Sequence, residues 1–211
     1  MKQNRRTFIK SGVLSGLAAS TAALHAADLQ PTPTEIKGPF YPIQAQKDKD
    51  FDLTQIEGMS GLAAGKHIFI EGVVVDTDSN PIEDVTVDLW QANAAGRYRH
   101  PHDPNTAPLD PNFQGWAIVP SGVKGEFRFK TVFPGTYPAA EGWTRPPHIH
   151  FKVSKRGYVE LVTQMYFPGH PLNEKDLLLQ RKTAAEQPTM IATQSREDPE
   201  TYQFRIVLQK A

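Results

Sequence analysis

The alternating segment Arg145-Pro-Pro-His-Ile-His-Phe-Lys-Val153 restricts the possible folds of this chain more than any other feature. Side chains at positions i and i+2 of a β-strand point to the same face of the sheet. The isoleucine, phenylalanine and valine of the segment therefore share an apolar face that can be buried in a core. His148 and His150 share the other face, where two adjacent imidazoles are a common start of a metal site. Alone, such a pair is equally consistent with two hydrogen-bonded histidines.

Most of the remaining sequence consists of short apolar runs that are separated by turn-forming residues. We predict further strands at residues 67–75, 85–90, 126–130, 159–167 and 204–208. Asp76 to Pro81 is rich in Asp, Ser and Asn, which are typical of turns. Many short strands with Pro- and Gly-rich connections indicate an all-β fold. We predict a β-sandwich of mixed short strands, with long loops that carry the active site.

One short helix is predicted near residues 173–187. Asn173 can cap it, acidic residues occupy its first turn, and Pro188 lies just beyond its end. The rest of the chain shows no helical periodicity.

A long connection rich in Pro, Asn and Gly is expected at residues 94–125. Connections of this length in a compact domain are usually functional or disordered. This one contains Tyr98, and His100 and His102 follow it. We interpret these two histidines as residues at a pocket edge or on the surface, and not as ligands.

The first 26 residues have the features of an export signal. Asn4 to Lys10 carries a twin-arginine pattern, and an uncharged, weakly apolar run from Ser11 to Leu24 follows it before small residues around Ala26. We predict removal of residues 1–26, which places a single domain at 27–211 in the periplasm or outside the cell. An uncleaved membrane anchor is the alternative, but the run is short for a spanning helix, which needs roughly 20 apolar residues.

Composition narrows the chemistry of any site in the exported domain. The chain contains no Cys, so disulfides and thiolate ligands are excluded, and a metal must be bound by His, Tyr, Asp or Glu. The signal region holds four of the 23 basic residues and no acid, which leaves 19 basic and 23 acidic side chains, a net charge of about −4. No basic block stands out, and we therefore expect no nucleic-acid partner. We also expect no membrane association once the signal is removed.

Five segments carry aromatic, Gly and Pro residues in a distinctive order: Gly38–Pro42, Asp88–His100, Ala107–Phe113, Phe133–Pro138 and Arg145–His150. Together they resemble the intradiol ring-cleavage dioxygenases, and the nearest likeness is to the iron-binding, catalytic subunit of the protocatechuate 3,4-dioxygenases. The resemblance extends from about residue 35 to residue 209. It implies a β-sandwich enzyme that inserts both atoms of O2 into a catechol. The ring is cleaved between the two hydroxyl-bearing carbons to give a cis,cis-muconate.

The resemblance implies one Fe(III) per chain, bound by what we call the predicted ligand set, namely Tyr98, Tyr137, His148 and His150. In the family, the tyrosine matching Tyr137 has a catalytic role, because it leaves the metal when substrate arrives. Phenolate is a hard anionic donor that suits a trivalent ion better than Zn²⁺. Such an ion can remove the proton of a tyrosine, although the pKa of free tyrosine is near ~10. Taken singly, Tyr98 is also explained as a loop residue and Tyr137 as the brace of a proline turn.

The resemblance also assigns residues around the metal. Arg145 matches a catalytic arginine beside the substrate ring, and Gln164 matches a catalytic-site glutamine behind the ligands. Trp90 matches a tryptophan near the tyrosine that stays bound, and we predict that it lines the substrate pocket together with Tyr41 and Trp143. Without this context, a surface salt bridge explains Arg145, an outward position explains Gln164, and core packing explains Trp90.

Two other protein classes are compatible with parts of the sequence. A cupin also binds metal through His-x-His, but it needs a Glu a few residues later, whereas the first acid after His150 is Glu160. Gly72 to Ile82 resembles the opening hairpin of transthyretin-like sandwiches, which are non-catalytic binding modules. Neither class explains the two tyrosines.

The substrate and the assembly stay open at this point. His148 follows Tyr137 by eleven positions, two fewer than the family spacing, so we expect a different pocket shape. Protocatechuate, a substituted catechol and a hydroxyquinol are all compatible substrates, with O2 as the second one. The family resemblance implies either a homo-oligomer or a pairing with a related subunit.

Overall fold

The computed structural model describes residues 29–44, 46 and 48–211, and the predicted export signal at residues 1–26 lies outside this part of the chain. The described residues form two four-stranded sheets and a separate two-stranded hairpin. Their strands are β1 (His67–Asp76), β2 (Thr86–Trp90), β3 (Trp116–Pro120), β4 (Glu126–Val132), β5 (Tyr137–Ala140), β6 (Trp143–Arg145), β7 (His148–Ser154), β8 (Leu161–Tyr166), β9 (Thr193–Gln194) and β10 (Thr201–Leu208).

The two sheets have different strand arrangements. The first has the order β4-β1-β10-β9, and the second has the order β3-β2-β7-β8. β1 and β10 run parallel, while the other neighbouring strands pair antiparallel. The hairpin consists of β5 and β6. The predicted all-β sandwich of mixed short strands is confirmed.

The main core lies between the sheets and follows the alternation seen in the sequence. The three apolar residues of β7 are fully buried. The ring centroid of Phe151 lies 5.9 Å from that of Phe127 on β4 and 5.5 Å from that of Phe204 on β10. The second sheet therefore packs directly on the first through β7. Because alternate residues point to opposite faces, His148 and His150 project away from this core, as predicted.

The strand with the two histidines is shorter than the alternating segment. β7 begins at His148, and Arg145 instead ends β6. Pro146 and Pro147 separate the two strands, since proline has no N–H to donate to a sheet. In the hairpin, Arg145 pairs with Tyr137 of β5. Two predicted site residues are thus neighbours across a hairpin that the sequence did not predict.

The predicted short helix near residues 173–187 is wrong, because the chain here is not one continuous helix. Three 3₁₀ helices replace it, at Pro171–Lys175, Leu179–Arg181 and Gln187–Met190. Asn173 lies inside the first one, where its side-chain amide donates to the carbonyl of Phe167 at 2.8 Å. Asp176 interrupts the run with an extended backbone, ψ 116°. Side chains that bond to backbone groups compete with a regular helix. No helix among the described residues is long and apolar enough to cross a bilayer.

The long connection predicted at residues 94–125 is also interrupted. Trp116–Pro120 forms β3 at the edge of the second sheet, and Trp116 pairs with Trp90 of β2. The sequence Trp-Ala-Ile-Val-Pro contains no polar alternation, so periodicity alone does not identify it as a strand. The part of this connection that precedes β3 contains Tyr98 and lies outside the second sheet.

Candidate metal centre

Three separate parts of the chain bring the predicted ligand set together. His148 and His150 stand on β7, Tyr137 is the first residue of β5, and Tyr98 lies in the connection after β2. All four residues are buried, with between 2% and 6% of their surface exposed. Their side chains therefore lie in the interior of the protein.

The four rings lie close to one another. The Tyr98 hydroxyl oxygen is 3.4 Å from Nε2 of His148. Ring centroids are 5.5 Å apart for Tyr98 and Tyr137, and 5.7 Å apart for Tyr137 and His148. The two imidazole centroids are 4.9 Å apart. Two phenols and two imidazoles that are distant in sequence are thus neighbours in the fold.

The protonation of His148 follows from its hydrogen bond. Its Nδ1 lies 2.7 Å from the carbonyl oxygen of Pro146. A carbonyl only accepts, so Nδ1 carries the proton and Nε2 keeps its lone pair, on the side of Tyr98. Burial, together with the nearby Arg145 guanidinium, lowers the pKa of His148 well below its ordinary value. The imidazole is therefore neutral, which is the form that binds metal ions.

The pKa of His150 is lowered as well, but this imidazole lacks one hydrogen-bond partner. Burial is the main cause that lowers the pKa of His150 well below its ordinary value, and the Arg145 guanidinium adds to this effect. Its Nδ1 is buried without a hydrogen-bond partner among the described residues. Its ring stacks on the indole of Trp90, with centroids 4.8 Å apart. A buried nitrogen that lacks a hydrogen-bond partner in the protein is commonly satisfied by an ion or an ordered water.

The tyrosines meet the requirements of a hard metal ion. Burial is the main cause that raises the pKa of Tyr98 and of Tyr137, so both are neutral phenols in the protein alone. A cation of high charge reverses this balance, because it favours the phenolate. The described part of the chain has no group of three or more His, Cys, Asp or Glu side chains placed to hold a metal. A metal at this position therefore requires tyrosine oxygens, and the donor set fits a ferric ion.

The connection that carries Tyr98 is fixed by close backbone contacts. The N–H of Tyr98 donates to a carboxylate oxygen of Asp103 at 2.7 Å. Gly96 has a φ of +80°, and a Cβ at this residue would overlap the carbonyl oxygen of Thr136. Thr136 precedes Tyr137. Only glycine allows the two tyrosine-bearing loops to approach this closely.

Comparison with known proteins places this site in a family. A family model described as Dioxygenase matches residues 36–210. The protocatechuate 3,4-dioxygenase beta chain of Burkholderia cepacia is 37% identical over 190 residues, which cover 84% of this chain and 80% of that protein. The chain belongs to the intradiol ring-cleaving dioxygenases. Members of this family are ring-cleaving oxidoreductases, so the cupin and transthyretin-like interpretations are wrong.

Other relatives of this dioxygenase are named for different substrates. It is 31% identical over 169 residues to the chlorocatechol 1,2-dioxygenase of Cupriavidus pinatubonensis and 28% identical over 188 residues to the hydroxyquinol 1,2-dioxygenase of Nocardioides simplex. The matches cover 72% and 82% of this chain, and they span 60% of the length of each relative.

Solved structures agree with this assignment. The dioxygenase domain of a carbohydrate-binding fusion protein from Streptomyces sp. SirexAA-E superposes with a TM-score of 0.64 at 27% identity, over 86% of this chain and 100% of that one. An intradiol ring-cleavage dioxygenase from Tetranychus urticae has a TM-score of 0.66 at 20% identity, over 86% of this chain and 95% of that one. The second likeness shows the fold alone.

In this dioxygenase, Arg145 and Gln164 are buried beside the ligand set. Nη1 of Arg145 lies 3.4 Å from Nε2 of His148. Nη2 donates to Oε1 of Gln164 at 2.8 Å, and Nε donates to Asp176, which sequence reasoning missed, at 2.9 Å. The amide of Gln164 donates to the carbonyl of Ile36 at 3.1 Å. Arg145 is therefore not part of a surface salt bridge, and Gln164 does not point outward.

The three residues predicted to line the substrate pocket lie at different depths. Trp90 contacts His150 directly. Tyr41 lies behind Trp90, with ring centroids 4.9 Å apart, and its hydroxyl donates to a carboxylate of β2 at 2.8 Å. Trp143 is half-buried, 5.7 Å from the guanidinium carbon of Arg145, and its Nε1 has no hydrogen-bond partner in the described part of the chain. Trp90 and Trp143 thus border the site, and Tyr41 supports it from behind.

Phe40 also borders the ligand set, although the sequence alone indicates only a rigid Gly-Pro-Phe-Tyr-Pro segment around it. The Phe40 centroid is 5.0 Å from that of Tyr98 and 6.1 Å from that of Tyr137. Gly38, with a φ of +73°, approaches the ring of His150 so closely that a Cβ would lie 3.4 Å from its Cε1. The segment therefore covers the ligand set. Its rigid composition was the available signal, but linear spacing does not connect it to residues 98 and 150.

Proposed function

We propose that this dioxygenase binds one Fe(III) per chain through the predicted ligand set and cleaves a catechol-type aromatic between its two hydroxyl-bearing carbons. Both atoms of O2 enter the product, a cis,cis-muconate. One observation supports this proposal most strongly. Two buried phenols and two buried, neutral imidazoles converge in a chain whose relatives are named for protocatechuate, catechol and hydroxyquinol.

The balance of charge supports a ferric ion. Two phenolates offset two of its three positive charges, and the neutral imidazoles add none. When bound, the ferric ion supplies the electron withdrawal that makes a deprotonated catechol reactive toward O2. The surrounding protein keeps water from the ligands, because all four are buried.

Tyr137 is the proposed acceptor of one substrate proton. As a phenolate it would take this proton at its phenolate oxygen and become a neutral phenol, which is the form that burial favours. Tyr137 is the first residue of a two-stranded hairpin. Its ring lies against that of Phe40, and its backbone pairs with that of Arg145 across the hairpin. Tyr98, whose backbone is held by Asp103, stays in place.

Arg145 is proposed to stabilise the negative charge that develops on the substrate during oxygen attack. Its guanidinium is buried next to His148 and fixed by hydrogen bonds, including the one to Gln164. A fixed cation in an interior of low dielectric stabilises a developing anion without reorganising solvent. Gln164 is proposed to hold the guanidinium in the required plane.

The proposed substrate class is a protocatechuate-like or otherwise substituted catechol. The 37% identity to a protocatechuate 3,4-dioxygenase beta chain supports a catechol with an acidic substituent, while the relative named for hydroxyquinol supports the alternative. The relative named for protocatechuate is a beta chain, which also favours a related second subunit as a partner of this chain. A homo-oligomer is the alternative arrangement that we propose to test.

We further propose that residues 1–26 direct the folded enzyme through the twin-arginine pathway to the periplasm or the exterior. The pair Arg5 and Arg6, followed by an uncharged run, supports this assignment. Replacing both arginines with lysine should retain the enzyme in the cytoplasm. Normal export of that variant would contradict the assignment.

The central experiment measures oxygen uptake by residues 27–211 after loading with iron. We expect one ferric ion per chain, a red colour from phenolate-to-iron charge transfer, and O2 consumption equimolar with catechol, protocatechuate or hydroxyquinol. Labelled O2 should place both atoms in the muconate. Resorcinol, whose hydroxyls are not adjacent, serves as the inactive control. A ferric, coloured preparation that consumes no O2 with any of these catechols would refute the proposed reaction.

A further inference from the structure

Asp176 is a buried carboxylate that binds one edge of the Arg145 guanidinium. Its side chain has no exposed surface. Oδ2 accepts from Nε of Arg145 at 2.9 Å, and Oδ1 accepts from Nη2 at 3.1 Å. Two parallel hydrogen bonds between charged groups fix both the position and the plane of a guanidinium.

The broken helix is what makes this carboxylate available. Asp176 stands between two 3₁₀ helices with an extended backbone. Its Oδ1 also accepts from the N–H groups of Leu178 at 3.2 Å and Leu179 at 3.0 Å. In a continuous α-helix those N–H groups would bond to carbonyls four residues earlier. The interruption therefore lets one side chain cap the following turn and reach Arg145.

The remaining contacts of Arg145 leave a single edge directed at the ligand set. Nη2 also donates to the hydroxyl of Tyr166 at 2.8 Å and to Gln164. Nε and Nη2 are thus occupied on the Asp176 side. Nη1 is on the opposite edge and lies 3.4 Å from Nε2 of His148. A planar group that is held along one edge presents its other edge in a defined direction.

Asp176 also provides the charge that a cation at this position needs. Arg145 is buried beside a site that we propose to hold a trivalent ion, and like charges in a poorly solvated interior repel strongly. A carboxylate on the far side of the guanidinium offsets this repulsion and leaves Nη1 directed toward the ligand set. A buried cation whose partner is removed is strongly unfavourable.

We propose that Asp176 is a positioning residue of this active site, which acts on the reaction only through Arg145. This inference rests on the proposed function, because it assigns Arg145 a role toward the substrate. It predicts that the two residues behave as one unit, in folding without iron as well as in catalysis.

The first experiment uses the iron-free protein, so that it is independent of the proposed chemistry. Urea unfolding is measured for Asp176→Asn, Arg145→Gln and the double variant. We expect the double variant to be more stable than Asp176→Asn alone, because it no longer buries an unpaired guanidinium. Asp84→Asn is the matched control, since the Asp84 side chain is 76% exposed in its ion pair with Lys155. Strictly additive effects of the two buried changes would overturn the proposal.

The second experiment uses the iron-loaded enzyme. Asp176→Asn should keep its iron and its absorption band, because it touches none of the ligand set, while kcat falls by roughly 10²-fold with little change in KM. Adding Asp176→Asn to Arg145→Gln should lower kcat no further. An additional loss equal to that of the single variant, or wild-type kcat in Asp176→Asn, would overturn the proposal.

The assignment of Asp176 and the proposed reaction can fail independently of each other. If Asp176→Asn alone does not fold, the double variant replaces it and is compared with Arg145→Gln, and a lower kcat in the double variant contradicts the assignment. If wild-type protein is coloured but inert, the proposed reaction fails, and the unfolding experiment still decides whether Asp176 and Arg145 act together.

Discussion

The indole of Trp90 lies parallel to the imidazole of His150, with ring centroids 4.8 Å apart and an interplanar angle of 10°. This contact fixes the plane of a proposed ligand that has no hydrogen bond at Nδ1 among the described residues. Trp90 therefore restrains the orientation of His150. A tryptophan at this position therefore packs in the interior and also restrains a proposed metal ligand.

We expect Trp90→Leu to weaken iron binding by roughly 10-fold, because groups that orient a ligand usually change metal affinity by 10- to 100-fold. The same change removes a buried aromatic side chain and should lower the free energy of unfolding by about 3 kcal/mol. Trp90→Phe keeps a ring against His150 and should lie between the two proteins in both properties. Competition with a chelator measures the affinity. Equal iron affinity in all three proteins would contradict this role.

Tyr98→Phe removes one proposed oxygen ligand without changing the packing of the ring. We expect loss of most of the charge-transfer colour and of measurable ring cleavage, since a phenyl group cannot replace a phenolate. The matched control is Tyr158→Phe, because Tyr158 packs against the main core and not against the ligand set. Visible absorption and oxygen uptake are the measurements. A Tyr98→Phe enzyme with wild-type turnover would remove Tyr98 from the ligand set.

Gly38→Ala tests the contact between the covering segment and His150. Gly38 and Gly142 have nearly the same backbone conformation, with φ of +73° and +71°, but only Gly38 has side-chain atoms within 4 Å of an added Cβ. Alanine at either position adds backbone strain of about 1 kcal/mol. Only Gly38→Ala should in addition bring a methyl group into contact with the imidazole of His150 and lower kcat/KM. Equal kcat/KM in Gly38→Ala and Gly142→Ala would show that this contact has no effect on catalysis.

Local patterns in the sequence predicted the sandwich well, but not the parts that depend on distant partners. The alternation of β7 placed three residues in the core and two histidines opposite, because one face of that strand is buried on the other sheet. The break at Asp176 has a different origin, since its carboxylate bonds to Arg145, 31 residues away in sequence. Helix signals near Asn173 report local preference only, and this tertiary contact overrides them.

The candidate site could also be predicted only in part, because local sequence patterns do not report contacts between distant residues. The spacing of His148 and His150 indicates a ligand pair, because both stand on one strand. The tyrosines were assigned through family resemblance, since 50 positions separate Tyr98 from His148 and no periodicity relates them. Phe40 was missed because its contacts with the ligand set depend on how the N-terminal segment crosses the finished fold.

The turn after β1 provides a prediction for stability against acid. Oδ1 of Asp76 accepts from the N–H groups of Asp78 at 3.0 Å and Asn80 at 2.8 Å, and Nζ of Lys210 lies 3.0 Å from Oδ2. Burial by itself raises the pKa of this carboxyl. The hydrogen bonds from Asn80 and the ammonium of Lys210 outweigh burial and hold the pKa at about 2, below the ordinary value of 3.8.

A carboxyl with a depressed pKa stabilises the fold above its unfolded-state pKa, and this contribution is lost as the pH falls through the folded-state pKa. We therefore expect Asp76→Asn to lower the free energy of unfolding by about 2 kcal/mol at neutral pH, and the difference should shrink from pH ~4 downward and vanish below pH ~2. Asp78→Asn is the control, because Asp78 contacts the same lysine but its side chain is 55% exposed, and its effect should be small at every pH. Urea unfolding of the iron-free proteins measures both. A difference between wild type and Asp76→Asn that stays constant down to pH ~2 would mean that the lost hydrogen-bond geometry, and not the charge of Asp76, destabilises the variant.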